Sequence, residues 1–585
     1  MKKKIMKKEN SIFVIAAVAV LIVDLLFQQD AANKVSMGNT VLVLGMLVFA
    51  NLVAFWLSAV RRKAGNAATG IAGKLPVISL AGRRLFLAGS LIITWLLALI
   101  WSAVIVRQNY GDWAGYVGAA TTGVGVVTLA VFFFIGVKHR KMTEDSILVL
   151  LMAALAMRIF YVVMTQAHIY QNDIGVLWSP LGGHLGYVRY LLDNQALPDF
   201  DPTTRHQFYQ PPLHYIITAL WVKLHTLLGI QIEAADENIQ VLSLFYSMAS
   251  LGILNKIGIR LKISVWGRLA ALSVIAFLPY DIMMSAAINN DLLMTLLVLM
   301  CIYFTVKWYQ ESGLGNILLM GITIGCAMMT KISGVLIAPG VAIIMLIKAW
   351  NGRREWKKYL GQFTVFGSAA FPLGLWYPLK CLFQYGVPLG YVPNMGTDSG
   401  QYIGMYTGIR RLFDVRNQLV ELCLHWDHSA PYIDYNIPVS LVKFAVFGEG
   451  SYYLVNEIVK KLGTWTFWFT AGLLAAAALL CVVCLIRRNL PWIYKISFGT
   501  MILVMMGSYV KFCYMFPHVC TMHIRYVMVA VYLAFLAAGT ALDHSQLEKP
   551  DSLAWRIVRS VINVMILTYA VLSVLLNWNM EILLQ

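Results

Sequence analysis

Asp173 stands in the stretch HIYQNDIGVLW, just beyond an apolar run, 146–166, that is long enough to cross a bilayer. A carboxylate at such a boundary can take or share the proton of an alcohol and so make it a nucleophile. A second carboxylate, Asp291, closes AAINND ahead of another apolar run, where it can meet an acceptor or a cation. Lys331 in TKISG and Arg525 in HIRYV also mark the ends of apolar runs, with His518 and His523 near Arg525. A cation there can hold an anionic group. Each residue has a structural reading as well. Asp173 can cap a short loop helix, Asn289, Asn290 and Asp291 all suit a helix N-terminus, and Lys or Arg at a membrane helix end can snorkel.

What must position these residues is a set of membrane helices. The 585 residues are 59% hydrophobic and 13% charged, with a mean hydropathy of +0.70. A soluble chain of that length would have to hide more apolar surface than its core could take. Apolar runs of about 17 to 25 residues recur along the whole length, which marks an all-α polytopic membrane protein. The net charge of +18 is spread over short loops: the Lys run in 2–8, RRK at 61–63, Arg83 and Arg84, KHRK at 138–141, RREWKK at 353–358, and Arg487 with Arg488. These are cytoplasmic anchors by the positive-inside rule. A nucleic-acid partner is excluded, because it would need one contiguous basic patch. MKKKIMKKEN precedes a first run with no small-residue cleavage site, so that run is read as a retained helix.

With those anchors the spans fall at 11–27, 39–60, 85–106, 113–136, 146–166, 239–258, 267–286, 291–309, 314–331, 333–349, 359–382, 463–486, 492–512, 523–541 and 557–577. The apolar segment PPLHYIITALWVKLHTLLGI is left out: if it crossed, every later basic loop would change sides. The N-terminus is then cytoplasmic, and two long loops, 167–238 and 383–462, lie outside the plasma membrane. In the first of them Leu181, Leu185, Val188 and Leu192 recur at helical spacing, the pattern of an amphipathic helix lying on the membrane.

The order of motifs resembles the C-type glycosyltransferase (GT-C) superfamily. An early acidic residue in the first outer loop is followed by LPDFDP, FYQPPLHYIITALW, NNDLLMTLL, MMTKISGVLIAPG and HIRYVMVAVYL. The likeness is to the bacterial branch related to protein O-mannosyltransferases and lipid A aminoarabinose transferases, and it runs over about 146–541. It implies a helical GT-C-like core in 142–585, with 1–141 as an added four-helix membrane module. It also implies a polyprenyl-phosphate sugar donor and transfer to an acceptor hydroxyl of a glycan, lipid or protein at the extracytoplasmic face. Asp173 matches the family's base, Asp291 its second acidic position, and Lys331 and Arg525 its cations for the donor phosphate. His184, Tyr209, His523 and Glu449 (in FGEG) are then substrate-binding or supporting residues. Many relatives carry a second acidic residue beside the first. Here the neighbours of Asp173 are Asn172 and Ile174, which leaves metal dependence open.

Other features carry less. His425, Asp427, His428 and Asp434 in HWDHSAPYID are imidazoles and carboxylates able to ligate a divalent cation, and solvated loops often contain such clusters. His184 flanks the apolar face of its helix, where an interfacial His is ordinary. Arg158 and Asp24 lie within apolar runs, and are either functional or a structural pair with each other. Cys513 and Cys520 flank one outer loop, and a disulfide between them is left open. The rival function is a transporter or flippase of lipid-linked saccharides. That would call for inverted repeats and broken helices at the midplane, whereas the charged motifs here gather at the outer surface.

Overall fold

A computed structural model describes residues 92, 96, 144–167, 173, 177–179, 182–422, 424, 433–449, 457–486, 490–548 and 553–583. Apart from Ile92 and Leu96, the four N-terminal spans and the 1–141 module lie outside the described residues, as do Asp24 and the candidate metal ligands His425, Asp427 and His428.

Helix α1 (Glu144–Met164) opens with Glu144 and Asp145 in its first turn, where carboxylates meet the positive end of the helix dipole. The first long loop holds α2 (His184–Asn194), α3 (Leu213–Leu227) and α4 (Ile232–Glu237). There follow α5 (Gln240–Arg260), α6 (Val265–Ala276), α7 (Pro279–Met284), α8 (Asp291–Gln310), α9 (Leu314–Thr330), α10 (Ala338–Asn351) and α11 (Trp356–Tyr385). The second long loop holds α12 (Arg410–Phe413) and α13 (Ile437–Phe447), and the chain ends with α14 (Glu457–Ile486), α15 (Trp492–Met515), α16 (Met528–Glu548) and α17 (Leu553–Leu583). Among the described residues there are isolated bridges but no strands. Among the described residues, eight helical stretches are long and apolar enough to cross a membrane. The chain is an all-α, integral multi-pass membrane protein.

The segment left out of the span count forms α3, with 15 residues. At about 22 Å it falls short of a hydrocarbon core of about 30 Å. The expected span at 267–286 is not one helix. It breaks after Ala276, and Pro279 starts α7, because Pro cannot continue a helix but suits its first turn. Other helices pack through small residues. A Cβ on Gly321 of α9 would lie 2.6 Å from the Phe366 carbonyl of α11, and one on Gly267 of α6 would lie 2.6 Å from the Gly539 carbonyl of α16. Both contacts require a bare backbone.

Arg158 ties the break together from inside the bundle. Both it and Asp281 are fully buried, and their side chains meet at 2.5 Å. Arg158 also donates to the Ala276 carbonyl at 2.9 Å, one of the acceptors orphaned where α6 ends, and to Ser247 Oγ at 2.8 Å. The Tyr532 hydroxyl donates to the other Asp281 oxygen. The described partner of Arg158 is therefore Asp281. Removing one member of such a pair strands a buried charge, at about 3–5 kcal/mol. Arg158→Met is expected to lower stability by that amount in thermal unfolding of the purified protein, and Arg158→Met/Asp281→Leu to recover most of it. Equal stability of the single variant and wild type would show that the pair does not hold the break.

Both long loops are ordered by buried side chains. In the first, Tyr187 of α2 stacks on Phe208 and Tyr215 at centroid distances of 4.4 and 4.3 Å. The apolar stripe of α2 is covered by this cluster: Leu185 and Val188 are buried in it, and Leu192 packs at its edge. In the second, Lys443 of α13 meets Asp434 at 2.7 Å, both fully buried, and buried Arg411 donates to the Cys513 carbonyl at 2.6 Å. Cys513 and Cys520 are free thiols, not a disulfide. The Cys513 thiol points to the Thr521 carbonyl, and that of Cys520 to Met395.

Candidate active site

Seven separate segments bring their charged or aromatic ends to one end of the bundle. Asp173 follows α1. His184 opens α2, Tyr209 precedes α3, Asp291 opens α8, and Lys331 ends α9. Glu449 follows α13, and His523 and Arg525 precede α16. These are the eight principal residues singled out from the sequence; contacts join seven of them, and Tyr209 lies beside them, where the Asp173 and Arg525 charges act on its phenol.

Asp173 is the centre of the cluster. Its Oδ2 accepts from Arg525 Nη1 at 2.5 Å and from Asn289 Nδ2 at 2.9 Å, and lies 3.9 Å from His184 Nε2. The backbone there is left-handed, with φ 65, an uncommon state for a residue other than Gly. The Asp173 amide donates to Glu449 Oε2 at 2.7 Å, which secures that conformation. Glu449 reaches it because Gly448 closes α13 with φ 58 and ψ −138, a turn open to glycine. The Asp173 carboxylate is thus engaged by side chains of distant segments.

Lys331 is extended between α9 and a 3-10 turn at Ile332–Ile337, and its ammonium meets Asp291 Oδ1 at 2.5 Å. The other Asp291 oxygen lies 4.0 Å from Arg525 Nε. Asp291 makes no side-chain cap; instead Asn289 Oδ1 accepts from the Asp291 amide at 3.1 Å. Asn290 donates to the Thr330 carbonyl at 2.9 Å, which ties the start of α8 to the end of α9. Arg525 Nη1 is also 3.8 Å from Glu449 Oε1. Tyr526, which the sequence reading passed over, lies under both cations: Lys331 Nζ and the Arg525 guanidinium are each 5.2 Å from its ring centroid. It sits in the same HIRYV motif as Arg525, which was its available signal.

His523 is buried between Tyr280 and Phe444, at centroid distances of 4.6 and 4.2 Å. Its Nδ1 accepts from the Arg525 amide at 3.3 Å, so a neutral ring carries its proton on Nε2, which faces Glu449 Oε1 at 3.6 Å. His184 is buried and shares a hydrogen bond of 3.0 Å between Nδ1 and the Tyr215 hydroxyl. It is a wall of the site. Tyr209 meets Tyr391 edge to face at 5.6 Å. Among the described residues no three His, Cys, Asp or Glu side chains are grouped to hold a metal ion. Lys331 and Arg525 stand between the carboxylates.

Residues 210–376 match the family model of dolichyl-phosphate-mannose-protein mannosyltransferases. The segment includes Asp291 and Lys331. It resembles a GT-C glycosyltransferase. The match bears out the resemblance read from the motif order, over under a third of the chain. No curated protein sequence matches the chain. Among solved structures, the crystal structure of ArnT from Cupriavidus metallidurans bound to undecaprenyl phosphate is similar at 12% identity and TM-score 0.31, covering 69% of this chain and 78% of that one.

Electrostatics divides the carboxyls of this cluster. Burial alone would raise Asp173, but the adjoining Arg525 guanidinium outweighs it and holds the carboxyl well below the usual range. Burial pushes Glu449 up to about 7, with the Asp173 charge adding to the rise and Arg525 opposing it. Burial lowers His184 to about 4 and raises the Tyr209 phenol to about 12. The sign of the Glu449 effect on stability follows. Between about 4.5 and 7 the folded state keeps a proton that the unfolded state releases, so the contribution of Glu449 is present below that window and falls as pH rises through it. His184, and His214 lowered to about 3, act in the opposite sense over overlapping pH. The difference between Glu449→Gln and wild type isolates the Glu449 part. The melting temperature of the variant relative to wild type is expected to climb from pH 4.5 to 7 and then level off. A pH-independent difference would mean that Glu449 titrates as an ordinary carboxyl.

Proposed function

We propose that this chain is a membrane glycosyltransferase that moves a hexosyl or pentosyl group from a polyprenyl-phosphate donor to an acceptor hydroxyl at the extracytoplasmic face. The observation that carries the proposal is the pairing of two cations with two carboxylates at one end of a membrane helix bundle. The match of 210–376 to a mannosyltransferase family supports the donor class. In this reading 142–585 is the catalytic core and 1–141 an appended module.

Arg525 and Lys331 are each within 2.5 Å of a carboxylate, Asp173 and Asp291 respectively. Those carboxylates hold the place of the donor phosphate. A carboxylate bound to a guanidinium is a weak base, because its negative charge is already stabilised. When the donor phosphate arrives it takes over Arg525 and Lys331. Asp173 is then released toward the acceptor, accepts the hydroxyl proton as the oxygen attacks the anomeric carbon, and the sugar–phosphate bond breaks. The cations stabilise the charge that gathers on the departing phosphate. Asn289 and Glu449 keep Asp173 in place while its partner changes. The bond broken in the donor separates this reading from a flippase. Purified protein given a polyprenyl-phosphate sugar and an acceptor is expected to release polyprenyl phosphate. Movement of intact lipid-linked sugar between leaflets, with no free polyprenyl phosphate, would replace the transferase by a carrier.

A further inference from the structure

We propose that a groove at the end of the bundle opposite the candidate active site binds an anionic phospholipid. The groove has a volume of about 690 Å³ and is lined by Leu346, Trp350, Trp356, Leu360, Phe363 and Trp492, with Arg353 at its edge. It lies between the end of α10, the start of α11 and the start of α15. Lys331 precedes the 3-10 turn that leads into α10, and α10 then runs 14 residues away from it, about 21 Å. The two sites are therefore well separated along the membrane normal.

Two features together select the ligand. The walls are apolar, and Trp350, Trp356 and Trp492 are more than half exposed, as aromatic side chains are where a bilayer meets water. That suits an acyl chain. The mouth is cationic: Arg353 lies 5.8 Å from the Trp350 ring centroid and Lys357 lies 5.9 Å from that of Trp356. The nearby Lys358 is engaged by Glu355 at 2.6 Å. Among the described residues Arg353, Arg354 and Lys357 have no carboxylate partner, so their charges remain available to a phosphate headgroup. Simple snorkelling needs the cations but not a groove beneath them. A zwitterionic lipid would fill the groove without answering the charge. An anionic phospholipid meets both.

The full-length protein would be reconstituted in vesicles of equal phosphatidylglycerol and phosphatidylcholine, re-extracted, and its retained lipids counted by native mass spectrometry. Wild type is expected to retain phosphatidylglycerol in preference. Each cation near a charged headgroup contributes a factor of about five, so Arg353→Gln/Lys357→Gln is expected to cut that preference on the order of 20- to 30-fold. Trp350→Ala/Trp356→Ala, which keeps the charges, is expected to lower retention of both lipids. Lys223→Gln, an exposed cation on α3, is expected to leave the preference unchanged. No preference in wild type, an unchanged preference in the charge variant, or an equal loss in Lys223→Gln would overturn the proposal. So would replacement of phosphatidylglycerol by added polyprenyl phosphate, which would make the groove a seat for the donor's tail.

Discussion

Asp173→Asn is expected to cut sugar transfer by about 10² to 10⁴-fold, the span usual for loss of a general base. Asn keeps the size of the side chain and its hydrogen bond from Asn289, and the Glu449 contact is made by the backbone amide, which the substitution leaves intact. Arg525 loses its closest carboxylate but keeps Glu449 and Asp291 at 3.8 and 4.0 Å, so the loss of transfer should far exceed any loss of folded protein. Steady-state transfer at saturating donor and acceptor, beside a melting curve of the same preparation, separates the two. Transfer near the wild-type rate would remove Asp173 as the base and leave Asp291 as the next carboxylate to test.

Arg525→Gln and Lys331→Gln are each expected to weaken donor binding by roughly 10- to 150-fold, the worth of one charge-assisted contact of about 1.5 to 3 kcal/mol. Acceptor affinity should change much less. The two substitutions differ in what they strand. Without Arg525, Asp173 loses its guanidinium, and Glu449 and Asp291 lose a cation at 3.8 and 4.0 Å. Without Lys331, only Asp291 loses its partner at 2.5 Å. Arg525→Gln is therefore expected to be the more destabilising of the pair as well. Binding isotherms with a polyprenyl-phosphate sugar check both, and unchanged affinity in both variants would place the phosphate elsewhere.

The members of the site were legible one by one, for a physical reason. A charged side chain where a long apolar run ends stands out against its surroundings, and Asp173, Asp291, Lys331 and Arg525 all do so. Their pairing was not legible. Asp173 and Arg525 are 352 positions apart, and no local pattern says which helix ends share a neighbourhood. The break in the seventh expected span was missed because FLPYD sits in an otherwise apolar run: Pro279 marked a possible stop, but the run length argued for one helix. The same error hid Asp281, so Arg158 was weighed against Asp24 and not against the carboxylate 123 positions away that it meets. For α2 the helical spacing was right, yet spacing cannot tell lipid from protein as the cover of an apolar stripe. Here Phe208 and Tyr215 supply that cover, and His184 is carried into the site instead of lying at the bilayer surface.

The exchange of partners at Arg525 is tested most directly by titrating Asp173→Asn with the donor. If Asp173 holds the place of the donor phosphate, removing its charge frees Arg525, and the variant that has lost transfer should bind the polyprenyl-phosphate sugar more tightly than wild type. The expected gain is roughly 10-fold, the lower end of one charge-assisted contact. Donor binding weaker than wild type in Asp173→Asn would mean that Asp173 helps to hold the donor and does not compete with it, and would contradict the exchange.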